Sequence, residues 1–310
     1  MARRVLLTGA TGFVGRHLIT DLMGAGIIVR AATRRPAALP AGVEQVVVGD
    51  LDRPVDWSEA LAGVDAVVHA AGIAHAGPGI AEERYHRVNT EATVALAKAA
   101  GPSRRFLFIS SIRAQSGPTA THVLTEADVP RPEDAYGRSK LAAEQALAEL
   151  GGDWVALRPV LVYGQGVGGN MGALLWLARL PIPLPVNGLK GRRSLVAVET
   201  LAGAVRHCLA LPAAPRSAFI VADPQSVTVG EIVAALREGM GRRPGLFTVP
   251  EGLSRSLCMI TGRSEAWTRL TRSLEVDAAA LRQSGFVPQL QTRLQLRLLA
   301  AGSCAPRTRG

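Results

Sequence analysis

The sequence predicts an α/β protein in which a doubly wound parallel sheet is accompanied by a smaller mixed lobe. Short β-rich runs alternate with segments of helical apolar spacing, the runs finish in small or polar residues, and glycine and proline punctuation begins after about residue 165. We therefore expect a sheet domain over residues 1–165, a lobe mainly over 166–300 and a flexible tail over 301–310. A run at 217–223 is a candidate strand that rejoins the sheet.

Six runs supply the strands of the predicted sheet. In chain order they are RRVLLTGA, IIVRAATR, VEQVVVGDL, DAVVHAAG, RFLFISS and VALRPVLVYG. Helical spacing follows the first run in GFVGRHLITDLMGAG and returns in the later lobe in VETLAGAVRHCLAL and VGEIVAALREGMG. Ligands of doubly wound sheets bind beyond the carboxyl ends of the strands. The small and polar residues that end these runs therefore mark the predicted site.

Composition narrows the class of partner. The chain of 310 residues has a formal charge of +10, but its arginines are scattered, only 4% of its residues are aromatic and no nucleic-acid motif is present. These features favour an anionic small molecule over nucleic acid. No apolar run reaches the roughly 18 residues of a membrane span, so we expect a cytoplasmic protein with no membrane partner. The three cysteines lack CxxC spacing, which predicts reduced thiols and no metal site.

The first strand run leads directly into a glycine-rich turn. Gly9, Gly12 and Gly15 are spaced as GxxGxxG, a departure from the GxGxxG dinucleotide fingerprint, before a helix begins. Glycines allow a close backbone approach to a pyrophosphate, which the amide hydrogens and positive end of the helix then stabilise. The alternative is a tight turn without a ligand. We predict a Rossmann-like dinucleotide site that includes the neighbouring residues of the turn, Thr11, Phe13 and Val14.

The end of the second strand run indicates which dinucleotide is bound. Where NAD enzymes place a carboxylate for the ribose hydroxyl, this chain has Arg34 and Arg35. Guanidinium groups suit the 2′-phosphate, so NADP(H) is the preferred cofactor and NAD(H) the alternative; simple solvation of these arginines is the other interpretation. Asp50 and Leu51, after the third run, are candidates to hold the adenine, although Asp50 could instead cap a helix.

Tyr136 and Lys140 form a YxxxK pair that lies on one helix face. A nearby ammonium lowers the pKa of a phenol, and we expect Lys140 and a cationic nicotinamide together to make Tyr136 a proton carrier. Ser111, after the run RFLFISS, is placed to donate a hydrogen bond to a substrate oxygen. The pair alone is a weak signal that occurs by chance in helices, but together with Ser111 and the glycine turn it predicts carbonyl–alcohol chemistry with a nicotinamide hydride carrier.

The motifs TGATGFVG, DL at 50, HAAG at 69–72, VNTEAT at 88–93, SS at 110, YGRSK and RPVLVYG occur in one order and spacing. This combination resembles the extended short-chain dehydrogenase/reductases, also called the NAD-dependent epimerase/dehydratase family, over about residues 4–298. The resemblance implies catalytic roles for Ser111, Tyr136 and Lys140, with Lys140 also on the nicotinamide ribose. It implies further cofactor-lining residues, namely Ala70, Ala71, Gly72, Asn89, Pro159 and Val162.

The later lobe resembles the nucleotide-sugar branch of this family. Asn170 and Arg193 match the residues that hold the sugar-nucleotide diphosphate there, while a surface role is the alternative for Arg193. The sequence is most similar to bacterial UDP-N-acetylhexosamine 4-epimerases and 4-keto-reductases of polysaccharide synthesis, and the resemblance makes a homodimer the expected assembly. Our leading hypothesis is reduction of a UDP-4-keto-6-deoxy-N-acetylhexosamine. The alternatives are a UDP-glucose or UDP-N-acetylglucosamine 4-epimerase with tightly bound NAD, a non-sugar ketone reductase, and a non-catalytic dinucleotide sensor.

Overall fold

The computed structural model describes residues 4–74, 79–213, 215–250, 252, 271–288 and 290–304. The strands in chain order are β1 Arg4–Thr8, β2 Ile28–Thr33, β3 Glu44–Val47, β4 Ala66–His69, β5 Arg105–Ile109, β6 Trp154–Pro159, β7 Leu161–Tyr163, β8 Arg192–Arg193, β9 Leu195–Ala197, β10 Ala218–Val221 and β11 Val227–Thr228. Seven of them form one parallel sheet in the order β10-β6-β5-β4-β1-β2-β3. The predicted doubly wound fold class is confirmed.

Helices connect the strands and cover the sheet. They are α1 Phe13–Gly24, α2 Ser58–Leu61, α3 Glu82–Tyr85, α4 Ala92–Ala100, α5 Ala135–Leu150, α6 Gly169–Arg179, α7 Val198–Ala210, α8 Val229–Gly239, α9 Ala279–Gln283 and α10 Thr292–Cys304. A π-helical turn, His86–Glu91, joins α3 to α4, and a 3₁₀ turn, Ile112–Ala114, follows β5. Among the described residues, no helix is long and apolar enough to cross a membrane.

The central strands are apolar on both faces because helices cover both. Every residue of β4 and β6 is buried, which is the pattern of a strand packed between two layers. One face packs against Leu18 and Leu22 of α1, and the other against Leu96 of α4 and Leu147 of α5. Burial of these continuous apolar runs fixes the sheet at the centre of the molecule.

The strand order reverses between β1 and β4. The connection from β1 leads to β2 on one side, whereas β4 lies on the other side of β1. Such a switch point opens a crevice at the carboxyl ends of the two strands. Thr8 ends β1 and His69 ends β4, so the residues that follow them, Gly9 and Ala70, face each other across this crevice.

The run VALRPVLVYG forms two strands and not one. β6 ends at Pro159, and β7 leaves the main sheet to pair with β9, because proline cannot extend a ladder through its missing amide hydrogen. β10 then returns beside β6 at the edge of the main sheet.

The smaller lobe has its own apolar cluster. Met171 of α6, Ile232 and Val233 of α8 and Leu296 of α10 are buried together. β8 and β11 form a two-stranded antiparallel pair on this lobe. Helix α10 runs to Cys304, four residues into the predicted tail, and residues 305–310 lie outside the described part of the chain.

Candidate active site

The glycine turn is packed too closely for side chains. Gly9 has φ +70°, and a Cβ there would lie 2.7 Å from the backbone of Ala70 and Ala71. A Cβ on Gly15 would lie 2.0 Å from the carbonyl oxygen of Gly9. Gly12 is the N-cap of α1 without any side-chain cap, so the first amide hydrogens of this 12-residue helix face the crevice end without a side-chain acceptor. This cradle fits a dinucleotide pyrophosphate.

A directed chain of hydrogen bonds fixes the two strand ends beside the cradle. The Ala71 amide donates to Thr8 Oγ1 at 3.1 Å, and Thr8 Oγ1 lies 2.7 Å from His69 Nδ1. Thr93 Oγ1 donates to the Asn89 carbonyl at 2.7 Å and lies 3.0 Å from His69 Nε2. Because the Thr93 hydroxyl donates its only hydrogen to the Asn89 carbonyl, it can only accept from the His69 ring. We therefore assign the ring proton of His69 to Nε2, and Nδ1 accepts from the Thr8 hydroxyl.

His69 is held neutral in this chain. Burial, together with the positive charge of Lys140, lowers the pKa of His69 to about 3. A neutral imidazole can donate at one nitrogen and accept at the other, which the chain requires.

Asn89 fastens the strand end to the helix that carries Tyr136. It lies in the π-helical turn and is fully buried. Its Oδ1 accepts from the Ile73 amide at 2.8 Å, while its Nδ2 donates to the Ile73 carbonyl and to Ser139 Oγ, both at 3.0 Å. Ser139 Oγ in turn donates to the Tyr136 carbonyl at 2.8 Å. Asn89 therefore connects the segment after β4 to α5.

Ser111 and Tyr136 meet beyond the carboxyl end of β5. Ser111 follows β5 and is buried, while Tyr136 is partly exposed in the first turn of α5. Their side chains are hydrogen-bonded to each other. The ring of Tyr85 stands 6.4 Å from that of Tyr136, between centroids, and closes one side. The predicted serine–tyrosine pair is thus brought together.

Lys140 points toward the end of β5 and toward Gly72. Its Nζ donates to the Ile109 carbonyl at 2.9 Å and lies 4.5 Å from the centroid of the Phe108 ring. It also lies 3.3 Å from where a Cβ of Gly72 would be. Burial lowers the pKa of Lys140 to about 8, and the negative charge of Glu144 opposes that shift.

The protein alone shifts the pKa of Tyr136 upward. Desolvation by the surrounding protein raises it above the usual 10, whereas the hydrogen bond with Ser111 and the charge of Arg113 act to lower it. The physical reason is that a phenolate in this site loses hydration while the nearby ammonium of Lys140 is engaged by Ile109 and Phe108.

A buried ion pair lies behind the catalytic candidates. Arg158 of β6 donates through Nε to both carboxylate oxygens of Glu144 at 3.1 Å, and both side chains are more than 90% buried. Ser110 donates to Glu144, and Arg158 donates to Gln115. This network joins α5, β6 and the segment after β5, and the sequence motifs gave no sign of it.

Comparison with known proteins decides the family. Residues 5–222 match the family model described as "NAD dependent epimerase/dehydratase family". The UDP-glucose 4-epimerase of Vibrio cholerae is 34% identical over 301 residues, which cover 93% of this chain and 92% of that protein. The chain belongs to the NAD-dependent epimerase/dehydratase family.

Two further relatives span most of the chain. Ceramide reductase of Caulobacter vibrioides is 28% identical over 277 residues, covering 88% of this chain and 80% of that protein. The solved structure of MoeE5 in complex with UDP-glucose and NAD superposes with a TM-score of 0.73 at 26% identity, covering 97% of this chain and 98% of that one. The chain is therefore similar both to a protein solved with a sugar nucleotide and to one named for a lipid.

The remaining predicted cofactor residues of this epimerase/dehydratase chain differ in exposure and local contacts. Arg34 and Arg35 are exposed after β2, and Arg34 Nη1 lies 3.7 Å from Asp50 Oδ2. Asp50 Oδ1 also accepts from the Asp52 amide at 3.1 Å, so it caps its own turn. The other positions are an exposed Thr11, the partly buried Phe13, Val14, Leu51 and Val162, and a buried Pro159 at the end of β6.

The two predicted diphosphate residues are less clearly directed at a ligand. Asn170 is exposed in the first turn of α6. Arg193 donates to the Pro118 carbonyl at 3.1 Å and to the Arg272 carbonyl at 3.3 Å. The guanidinium of Arg193 therefore already ties the segment after β5 to the smaller lobe.

A cavity of about 890 Å³ lies next to the contacts of Arg193. It is lined by the segment from Gln115 to Glu133 and by Arg272 and Ser273 of the smaller lobe. Across the described residues, no group of three or more histidine, cysteine, aspartate or glutamate side chains is arranged to hold a metal ion.

Proposed function

We propose that the protein is an NAD(P)-dependent oxidoreductase that acts at C4 of a UDP-sugar and reduces a UDP-4-keto-6-deoxy-N-acetylhexosamine. The observation that carries the proposal is the hydrogen-bonded Ser111–Tyr136 pair beside a lysine whose amine reaches the wall formed by Gly72. The relative solved with UDP-glucose and NAD supports the substrate class.

The residues of the site divide the reaction between them. Tyr136 gives its phenol proton to the oxygen that forms at C4, and Ser111 orients that oxygen by a hydrogen bond. Lys140, with its positive charge, favours the phenolate that remains and holds the ribose of the cofactor. The nicotinamide supplies hydride to the carbonyl carbon when it is bound. Gly9, Gly12 and Gly15 hold the pyrophosphate, and Ala70, Ala71, Gly72, Pro159 and Val162 line the cofactor.

We assign NADP(H) as the preferred cofactor and NAD(H) as the alternative. The guanidinium groups of Arg34 and Arg35 are exposed, and the contact from Arg34 to Asp50 is long and solvated, hence weak. A 2′-phosphate offers two oxygens in a geometry that suits a guanidinium. Substitution of both arginines by glutamine is expected to weaken NADPH binding at least about tenfold and to leave NADH binding nearly unchanged; calorimetric titration with each dinucleotide measures the difference.

A 4-epimerase with tightly held NAD is the second candidate, and the 34% identical relative from Vibrio cholerae favours it. An epimerase returns the same hydride to C4 and consumes no cofactor. The purified protein would then release NAD on denaturation and convert a UDP-sugar without added dinucleotide. A reductase instead requires added NADPH in every turnover.

Reduction of an apolar ketone is the third candidate. Arg193 is engaged by two backbone carbonyls and Asn170 is exposed, so neither is reserved for a diphosphate, and one relative is named ceramide reductase. This candidate predicts turnover of a lipid ketone and no effect of UDP on the rate.

One assay separates the three candidates. The protein is incubated with UDP-N-acetylglucosamine, with its 4-keto-6-deoxy derivative and with a long-chain ketone, each with NAD, NADH or NADPH, and products are identified by mass and NMR. NADPH-dependent reduction of the 4-keto sugar, abolished in Tyr136→Phe, is the expected result. Conversion of the first sugar alone, without reductant, would overturn the proposal in favour of the epimerase.

A further inference from the structure

We propose that the Arg113–Asp134 ion pair is a positioning device for Tyr136: it presses the Ser111 turn onto α5 and sets the pH at which the phenol exchanges its proton. The inference rests on the proposed function of Tyr136 and adds two residues that the motifs do not assign. Neither residue contacts the substrate in this account, and both act through Tyr136.

The pair sits between the two catalytic candidates along the chain. Arg113 lies two residues after Ser111 in the 3₁₀ turn, and Asp134 lies two residues before Tyr136 as the N-cap of α5. Arg113 Nη2 donates to Asp134 Oδ2 at 2.6 Å, while Asp134 Oδ1 accepts from the Gly137 amide at 2.7 Å. One carboxylate therefore starts the helix and holds the turn.

The backbone contact beneath this pair leaves no room for a side chain at residue 137. A Cβ on Gly137 would lie 2.2 Å from the Arg113 carbonyl oxygen and 3.1 Å from Asp134 Oδ1. The 3₁₀ turn thus rests directly on the first turn of α5. Ser111 Oγ is fixed within the same turn, where it accepts from the Arg113 amide at 3.2 Å. The distance between Ser111 and Tyr136 depends on this contact.

The charges of the pair act on the phenol with opposite signs. Arg113 lowers the pKa of Tyr136 and Asp134 raises it. Arg113 Nη1 is buried and, among the described residues, has no acceptor, so the guanidinium is only partly neutralised by hydrogen bonds. The other groups that act on the phenol are Ser111, through its hydrogen bond, and Tyr85, whose ring is 6.4 Å away between centroids. Asp134 also interacts with the charge of Arg138.

Three substitutions separate positioning by charge from simple packing. Asp134→Asn keeps an acceptor for the Gly137 amide but removes the charge that raises the phenol pKa. Arg113→Gln removes the opposing charge, and Arg113→Lys restores it. We expect the pH–rate profile governed by Tyr136 to move to lower pH in Asp134→Asn, to higher pH in Arg113→Gln, by about half a unit or more in each case, and to return in Arg113→Lys.

A second readout does not require turnover. The chain has three tyrosines, so ¹³Cζ-tyrosine NMR gives three signals, and Tyr136→Phe identifies the one that matters. Titration of that signal should show the same opposite shifts. Shifts in one direction for both variants, or no shift in Asp134→Asn, would overturn the inference. If Arg113→Gln does not fold, the shift of the Tyr136 titration in Asp134→Asn alone tests the inference. If turnover is lost in Tyr136→Phe but these shifts are absent, the proposed function stands and only the positioning role of the Arg113–Asp134 pair is refuted. If turnover is retained in Tyr136→Phe, the proposed function itself is refuted.

Discussion

At the scale of single residues, the glycine turn shows how a missing side chain can define a site. The Gly15 Cα lies so close to the Gly9 carbonyl that a methyl group would overlap backbone atoms, which cannot move without opening the turn. Gly15→Ala is therefore expected to weaken dinucleotide binding at least about tenfold. Gly24, in the same helix, has nothing within 4 Å of its Cβ position. Gly24→Ala is the matched control and should preserve affinity while raising stability by about 0.5–1 kcal/mol. If calorimetric titration gives the same dinucleotide affinity for Gly15→Ala and Gly24→Ala, the glycine turn does not bind the pyrophosphate.

His69 provides a residue-scale test of stability against pH. Its folded pKa of about 3 lies below the unfolded value of 6.5, so between these limits the unfolded chain binds one more proton. The free energy of unfolding should then fall as pH decreases from 6.5 toward 3, by about 1.4 kcal/mol per pH unit from this residue alone. His69→Gln lacks that contribution whatever its starting stability. Urea unfolding at several pH values gives both slopes, and parallel curves would show that His69 is not the titrating group.

At the scale of elements, the sequence predicted the strands and the glycine turn because both leave a local pattern. Apolar runs ending in small residues locate the strand ends, and the strand order then brings Gly9 beside Ala70. Local spacing also placed Tyr136 and Lys140 on one helix face. It does not include the contacts of Lys140 with Ile109 and Phe108, nor the burial that raises the pKa of Tyr136 in the protein alone.

Contacts between segments far apart in the sequence were not predicted, because they leave no local sequence pattern. Arg193 meets carbonyls 75 and 79 residues away, and the Asn89 carboxamide reaches Ile73 from a π-helical turn that no periodicity announces. A long polar side chain has many acceptors within reach, and only the packed fold selects among them. The site roles of these residues stay predictions.

The Arg158–Glu144 pair is the element-scale feature with the largest expected energetic effect. It joins α5 to β6 in a buried position, so Glu144→Gln leaves an uncompensated guanidinium and should cost about 3–5 kcal/mol of unfolding free energy. Replacing both residues with apolar ones, Glu144→Leu with Arg158→Met, should cost much less than the sum of the single changes. Urea unfolding of the double-mutant cycle measures this coupling.

An exposed pair supplies the control for that cycle. Arg282 and Asp277 are 2.7 Å apart with half-exposed side chains, and Asp277→Asn should change stability little. Additive costs at Arg158 and Glu144 would show that the two charges do not depend on each other.

At the scale of the whole molecule, the excess of positive charge bears on how an anionic ligand arrives. Lysine and arginine number 35 against 25 acidic residues, and many carboxylates, including Asp21, Glu44 and Asp52, are already paired with arginine. The side chains in excess are therefore lysines and arginines. Their positive charge attracts an anionic dinucleotide over distances set by the Debye length. Raising the ionic strength from about 0.01 M to about 1 M shortens that length from about 30 Å to about 3 Å.

The association rate of NADPH is accordingly expected to fall several-fold over this range, while its dissociation rate changes less, because contacts inside the crevice are less screened than the approach through solvent. Stopped-flow fluorescence measures both rates. The Arg34→Gln/Arg35→Gln variant should show a shallower salt dependence than the wild type, since these exposed guanidinium groups stand at the adenosine end of the predicted site. An association rate that does not respond to salt would mean that the surplus charge lies away from the crevice, and the basic composition would then say nothing about the ligand.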